Sequence, residues 1–204
     1  MIDYNNQYFF IGKSIDNPYL PSLTPDTNTE NRKFGYKKQH LSSSPLIFYN
    51  GAKEFNKNRN VEILQVISEV LFCGADLVVS TRIREALLQF NIPNLDMHPA
   101  IYINDDDKRH EDYWYMTFTD NFDCWDRNNS TYKAKTADRA DETDYSIYTY
   151  SLNQELLDNT PLEQRLLFKM GADSNPSIVC HNSLSNLFYT DEKSGTHLTI
   201  ISEY

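Results

Sequence analysis

The sequence predicts an α+β protein: a mixed, largely antiparallel sheet with two strand-helix-strand units that pack their helices on one face. Two stretches carry that prediction. The first is Asp76–Ile103, in which Leu77, Val78 and Val79 form a short β-branched run of the kind that marks a buried strand. Ser80 then stands where a helix N-cap belongs, with Thr81 beside it. Ile83, Leu87 and Phe90 follow at helical spacing. Asn91-Ile92-Pro93-Asn94 ends the helix, because proline biases its predecessor away from the helical region. Leu95, Met97 and Ala100–Ile103 are extended again.

The second stretch is Ser177–Ser202, which repeats this grammar one hundred positions after Val79, at Val179. Ile178-Val179-Cys180 is the buried run, Leu184, Leu187 and Phe188 make a helix face, and Lys193-Ser194-Gly195 is a turn. Leu198, Ile200 and Ile201 form the returning strand. The two units could place their strands in one sheet.

The other elements follow from local pattern. Tyr8–Ile11 reads as a strand. Lys13–Leu41, broken by Pro18, Pro21 and Pro25, reads as a long irregular arm. Pro45–Tyr49 is a strand closed by Asn50-Gly51. Asn60 can cap a helix whose apolar stripe is Val61, Leu64, Ile67, Val70 and Leu71, with Gly74 as its stop. Residues 104–112 read as a hairpin tip, and Tyr113–Thr119 as an aromatic and β-branched strand continued by Asn121–Asp126. Arg127–Asp144 reads as an exposed polar loop, Tyr145–Leu152 as a strand, and Asn153–Pro161 as a turn. In Glu163–Met170 the alternation of Leu166, Phe168 and Met170 favours a strand. The resulting organisation is an N-terminal strand and arm over 1–44, packed on an α+β unit over 45–204.

With 204 residues, the chain can bury a sizeable core. Its hydrophobic share of 40% is modest, but 14 Tyr and 11 Phe compensate through the area each ring buries. The formal net charge of −10 disfavours nucleic acid and anionic membranes, whose phosphates repel it, and favours a basic partner. That charge is uneven. Met1–Asn60 carries 8 basic and 5 acidic residues, net +3, whereas Asn104–Asp144 carries 12 acidic and 6 basic, net −6. Charge concentrated on loops is what a charged partner meets first. The start of the chain has no basic segment followed by a long apolar one, and no apolar run approaches the ~20 residues of a membrane span. Cys73, Cys124 and Cys180 are odd in number and widely spaced, which points to a reduced, cytoplasmic setting.

Patterns that carry chemistry are weak. No phosphate-cradling glycine loop, no His pattern of a metal site and no nucleophile elbow is present. Asp123 and Asp126 could work as an acid–base pair, and Cys180-His181 as a thiol and base; a small hydrolase built on one of these is the alternative enzymatic reading. Neighbours on a strand point to opposite faces, however, which argues against the Cys–His pair. No cofactor or metal is expected. A scaffold subunit of a larger assembly is a third reading. The acidic residues that a partner would meet are Asp105, Asp106, Asp107, Glu111 and Asp112 at the hairpin, then Asp120, Asp123 and Asp126, with Trp125 as an aromatic anchor among them.

The order of these elements resembles immunity protein family eleven of bacterial polymorphic-toxin systems. A D-x-x-D-x-x-x-S stretch is matched by Asp123, Asp126 and Ser130, and a P-L-E-x-R-x-x-F stretch by Pro161, Leu162, Glu163, Arg165 and Phe168. A C-terminal glycine-led strand entry is matched by Gly195, Leu198 and Ile200, with Thr196-His197 departing from the apolar residues expected there. The resemblance covers roughly Pro45–Tyr204. It implies a non-catalytic cytoplasmic protein that neutralises a cognate toxin effector, and the acidic loops add the expectation that this effector has a basic face. It supplies no contact residues.

Overall fold

The computed structural model describes residues 3–14, 20–35, 37–59, 68–134, 145–189 and 195–204. It is an α+β fold built on two principal sheets. The larger is formed by β2 (Leu23–Pro25), β3 (Leu46–Asn50), β4 (Val70–Cys73), β5 (Asp76–Ser80), β6 (Leu95–Ile103) and β7 (Arg109–Phe118), in the order β2-β3-β6-β7-β5-β4. Its strand pairs are antiparallel except β3 with β6. The sheet curls until its edges meet, and Ser22, just before β2, bridges Phe72 of β4. Inside the curl lie Leu23, Leu46, Phe48, Leu71, Val78, Ala100, Tyr102, Tyr113 and Tyr115. Phe34 of the N-terminal arm packs edge-on against Phe48 and Tyr115.

The second sheet joins β1 (Tyr8–Lys13), β10 (Leu167–Lys169), β11 (Ile178–His181) and β12 (Thr196–Ile200) in the order β10-β11-β1-β12, all antiparallel. The two strand-helix-strand units therefore lie in different sheets, not in one. Each helix packs beside its own strand: α3 (Thr81–Leu87) on β5 and β7, α5 (Asn182–Phe188) on β1 and β11. The helices also touch each other. Ile83 and Leu87 of α3, Leu184 and Phe188 of α5, and the facing sides of both sheets, such as Leu77, Val79, Leu167 and Cys180, form one shared core. Period-2 alternation makes this possible: in β5, Leu77 and Val79 face the helices while Val78 faces the inside of the curl.

The Ser80 cap follows the sequence reading, whereas the cap of α5 falls to a histidine that the sequence did not single out for it. Ser80 accepts the Ile83 amide at the start of α3, and His181 accepts the Ser183 amide through Nδ1 at the start of α5. Phe90 lies beyond the end of α3 and is exposed, so it is not part of the apolar face.

Several segments depart from the sequence reading. Val70 and Leu71 belong to β4 rather than to a helix, and Gly74, at φ +63°, makes the β4–β5 turn. Asn60, Val61, Leu64 and Ile67 lie outside the described residues, as do Lys193 and Ser194. The arm carries β2 and a short helix α1 (Thr27–Glu30), capped by Asp26 accepting the Thr29 amide. A further helix, α2 (Lys53–Asn58), follows β3. Asn121–Asp126 leaves the sheet instead of extending β7; only Phe122 and Trp125 make isolated bridges, to Met170 and Leu152. Within Arg127–Asp144, β8 (Thr131–Ala134) pairs with β9 (Tyr145–Thr149) as a separate ribbon. Asn153–Pro161 holds α4 (Gln154–Asp158), with Asn153 accepting the Leu156 amide. Among the described residues no helix is long and apolar enough to cross a membrane.

Candidate functional site

The β6–β7 hairpin presents the first group of acidic residues. Its turn is tied by Asn104, whose side-chain oxygen accepts the Asp106 amide at 3.1 Å and the Lys108 amide at 2.9 Å. Asp107 adopts φ 62°, the left-handed conformation that Asp tolerates better than most residues. Asp106, Asp107, Glu111 and Asp112 are exposed. Asp107 approaches Lys53 at 3.7 Å, and Glu111 pairs with Arg109 at 3.2 Å. Exposed pairs of this kind contribute little, so Lys53 and Arg109 hold the Asp107 and Glu111 carboxylates only weakly.

Asp105 differs from its neighbours. It is only 9% exposed, and its Oδ2 accepts from Asn50 Nδ2 at 3.0 Å. It ties the hairpin to the end of β3 instead of facing solvent. The His110 ring stacks on Tyr102, and burial followed by the nearby Lys108 charge lowers its pKa.

The second group surrounds a buried tryptophan. Trp125 is 1% exposed and donates Nε1–H to the Gly171 carbonyl at 3.2 Å. Tyr132 and Tyr145 meet its ring edge-on. The Arg127 guanidinium lies 3.8 Å above it, forks to both Asp123 oxygens at 2.5 and 2.6 Å, and donates to the Trp125 carbonyl. Trp125 therefore cannot serve as a surface anchor; its ring is the floor on which Arg127 sits. Asp126 accepts from the Asn128 amide and the Asn129 side chain, and those bonds, Asn129's first, hold its carboxyl below the ordinary range. Ser130 Oγ accepts the Ser151 amide at 2.9 Å. The Asp-x-x-Asp-x-x-x-Ser stretch is thus a folding device: Asp123 holds Arg127 over the tryptophan, Asp126 fixes its own turn, and Ser130 ties the segment to Ser151. Asp120 is exposed at the rim of a cleft of about 190 Å³, with Phe118 and Phe122 in its walls.

The Pro-Leu-Glu-x-Arg stretch is a folding device too. Arg165, buried, donates to the Thr160 carbonyl at 2.8 Å and to the Tyr8 hydroxyl at 2.5 Å. It also lies over the Tyr4 ring, whose hydroxyl donates to Asp158 at 2.8 Å. Burial pushes the Tyr8 phenol up to about 12. The sequence offered little to single out Tyr4 and Tyr8, since the arginine's partners lie more than 150 residues away.

The two catalytic alternatives fare differently. Cys180 is buried in the core between the sheets, where desolvation pushes its thiol up to about 12, opposite to what a nucleophile needs. His181 uses its Nδ1 on the α5 cap. Asp123 is engaged with Arg127, and Asp126 with its own turn.

The fold and these residues define a class: an α+β protein with an acidic hairpin on its longest strand pair, whose motif side chains are committed to structure. The family model described as Immunity protein family (Imm11) matches residues 26–202, and the chain belongs to that family. The match begins in the arm, earlier than the motifs themselves. A comparison with curated proteins gives no match.

Proposed function

We propose that the protein is a cytoplasmic, non-catalytic immunity protein that binds a cognate toxin effector and blocks it by docking through acidic loops. Family membership supports the immunity role. The observation that carries the docking surface is the placement of Asp106, Asp107, Glu111 and Asp112, all exposed, on a hairpin whose turn is hydrogen-bonded and whose strands pair on either side of a bulge that sets Glu111 and Asp112 opposite Ile101. A rigid negative edge of this kind complements a basic face and accelerates encounter with it. Asp120 extends the negative surface, and Asp123 lies near it with both oxygens held by Arg127. Asp105 and Trp125 leave the contact set because both are buried, and Asp126 enters as a neighbour whose oxygens are partly used.

The test is the association rate with the cognate toxin effector, first isolated by co-purification with this chain, measured over a salt series by stopped flow. The double variant Asp106→Asn, Asp107→Asn is expected to slow association about tenfold or more at low salt and to flatten the salt dependence. An unchanged rate and slope would remove the hairpin from the contact. Loss of the effector's toxicity without a stoichiometric complex would overturn docking altogether.

A further inference from the structure

A positive patch of this acidic protein sits near the start of β6, the strand whose other end enters the acidic hairpin. Between Asn31 and Ser44 there are four Lys or Arg residues and His40, and no Asp or Glu. This segment walls a cavity of about 870 Å³ lined by Arg32, Lys37, Lys38, His40 and Leu41, among others. Arg32 is held in place: it donates to the Ser44 carbonyl at 2.7 Å and to Gln39 at 2.9 Å, and lies 3.1 Å from His98 Nε2. Lys38 reaches Asp96, near the start of β6. Lys37 and His40 have no described carboxylate within ion-pair reach. The nine residues of β6 separate this cavity from the acidic hairpin by about 25 Å at ~3.3 Å per residue. That exceeds the ~8–10 Å screening length of physiological salt, so the cavity keeps a local positive potential despite the net −10.

We propose that this cavity is a binding site for a short acidic peptide segment of a protein partner, with the lysines taking carboxylates and Leu41 taking an apolar side chain beside them. Leu41 is 90% exposed at the cavity wall, an apolar contact that a free inorganic anion has no use for. A long nucleic acid fits poorly, because its phosphates run past the cavity onto a chain of net −10 whereas a short peptide segment stays within it, and among the described lining residues the sole ring for base stacking is the His40 imidazole. The site goes beyond the acidic-hairpin reading and does not depend on it.

The experiment is calorimetric titration of the full chain with the hexapeptide Glu-Leu-Glu-Glu-Leu-Glu. Saturable binding that weakens about tenfold in Lys37→Glu, weakens in Leu41→Ser and is unchanged in Asp106→Asn, Asp107→Asn supports the site. Both cavity positions are exposed, and unchanged thermal melts of these variants verify that folding is intact. Absence of saturation, indifference to Lys37→Glu, full displacement by inorganic phosphate, or tighter binding of an oligothymidine would each overturn it. The hairpin variant separates this outcome from failure of the toxin-docking surface.

Discussion

Lys169 of β10 and Asp76 of β5 form an ion pair between the two sheets, Nζ to Oδ1 at 2.7 Å, with both side chains mostly buried. The second Asp76 oxygen accepts the Tyr115 hydroxyl at 2.6 Å. The carboxylate thus links the second sheet to the inside of the curled one. Lys169→Met would leave that carboxylate buried without its cation, and removing one partner of a buried pair is the costly step. Unfolding in urea is expected to show a loss of about 3 kcal/mol, smaller if water reaches Asp76. Adding Asp76→Asn, which keeps an acceptor for Tyr115, should restore much of that loss.

Arg165 gives a second stability test. Its planar fork serves three acceptors at once, the Thr160 carbonyl and the Tyr8 and Tyr4 hydroxyls. An ammonium cannot reproduce that geometry. Arg165→Lys is expected to cost about 2 kcal/mol in urea unfolding, and Arg165→Ala more, since the two phenols and the carbonyl then lose their donor.

The His181 cap predicts acid sensitivity. Burial, and secondarily the Arg165 charge, lowers the His181 pKa from the ordinary histidine value of about 6.5. Above that value the ring is neutral in both folded and unfolded chains, so the group adds no pH dependence. As pH falls below it, the unfolded chain takes up a proton that the folded chain refuses, and stability declines until the folded pKa is reached. His110, lowered in the same direction, adds to the decline. His181→Asn preserves a capping side chain without the titration. Melting temperatures followed from pH 7 to 5 are expected to fall less steeply in that variant, by the histidine's share; parallel curves would remove His181 as a contributor.

What could be read from the sequence and what could not divide along a physical line. Ser80 with its β-branched run, and Ile178–Cys180 with the helix after it, were readable because capping and periodicity are local. The division of those units between two sheets was not, since partners such as Phe9 and Cys180, or Lys169 and Asp76, are set by long-range packing. Val70 and Leu71 satisfied a helical stripe and a strand equally well, and pairing with β5 decided between them. At the candidate site, composition located the acidic hairpin but could not separate exposed Asp106 from buried Asp105. That difference rests on Asn50, 55 positions away. Trp125 likewise looked available among aspartates until Gly171 and Tyr145 supplied its surroundings.

Gly171 offers the test that separates the two acidic surfaces. A Cβ there would meet the Asp123 amide nitrogen at 2.6 Å and its Cα at 2.8 Å, both backbone atoms that cannot step aside cheaply. The closeness is required, because Phe122 and Gly171 sit in a backbone ladder, with the Phe122 amide donating to Lys169 and the Gly171 amide to Phe122. Gly171→Ala should therefore push Asp123–Trp125 outward, loosen the Arg127 stack and lower stability by about 2 kcal/mol. Trp125 emission is expected to shift to longer wavelength as its ring gains water, with Trp114 on β7 as the unmoved reference. The β6–β7 hairpin belongs to the other sheet and keeps its geometry. Under conditions where the variant is folded, an unchanged toxin association rate assigns the contact to Asp106 and Asp107. A rate that falls with the emission shift assigns it instead to the surface around Asp123, because that is the segment displaced.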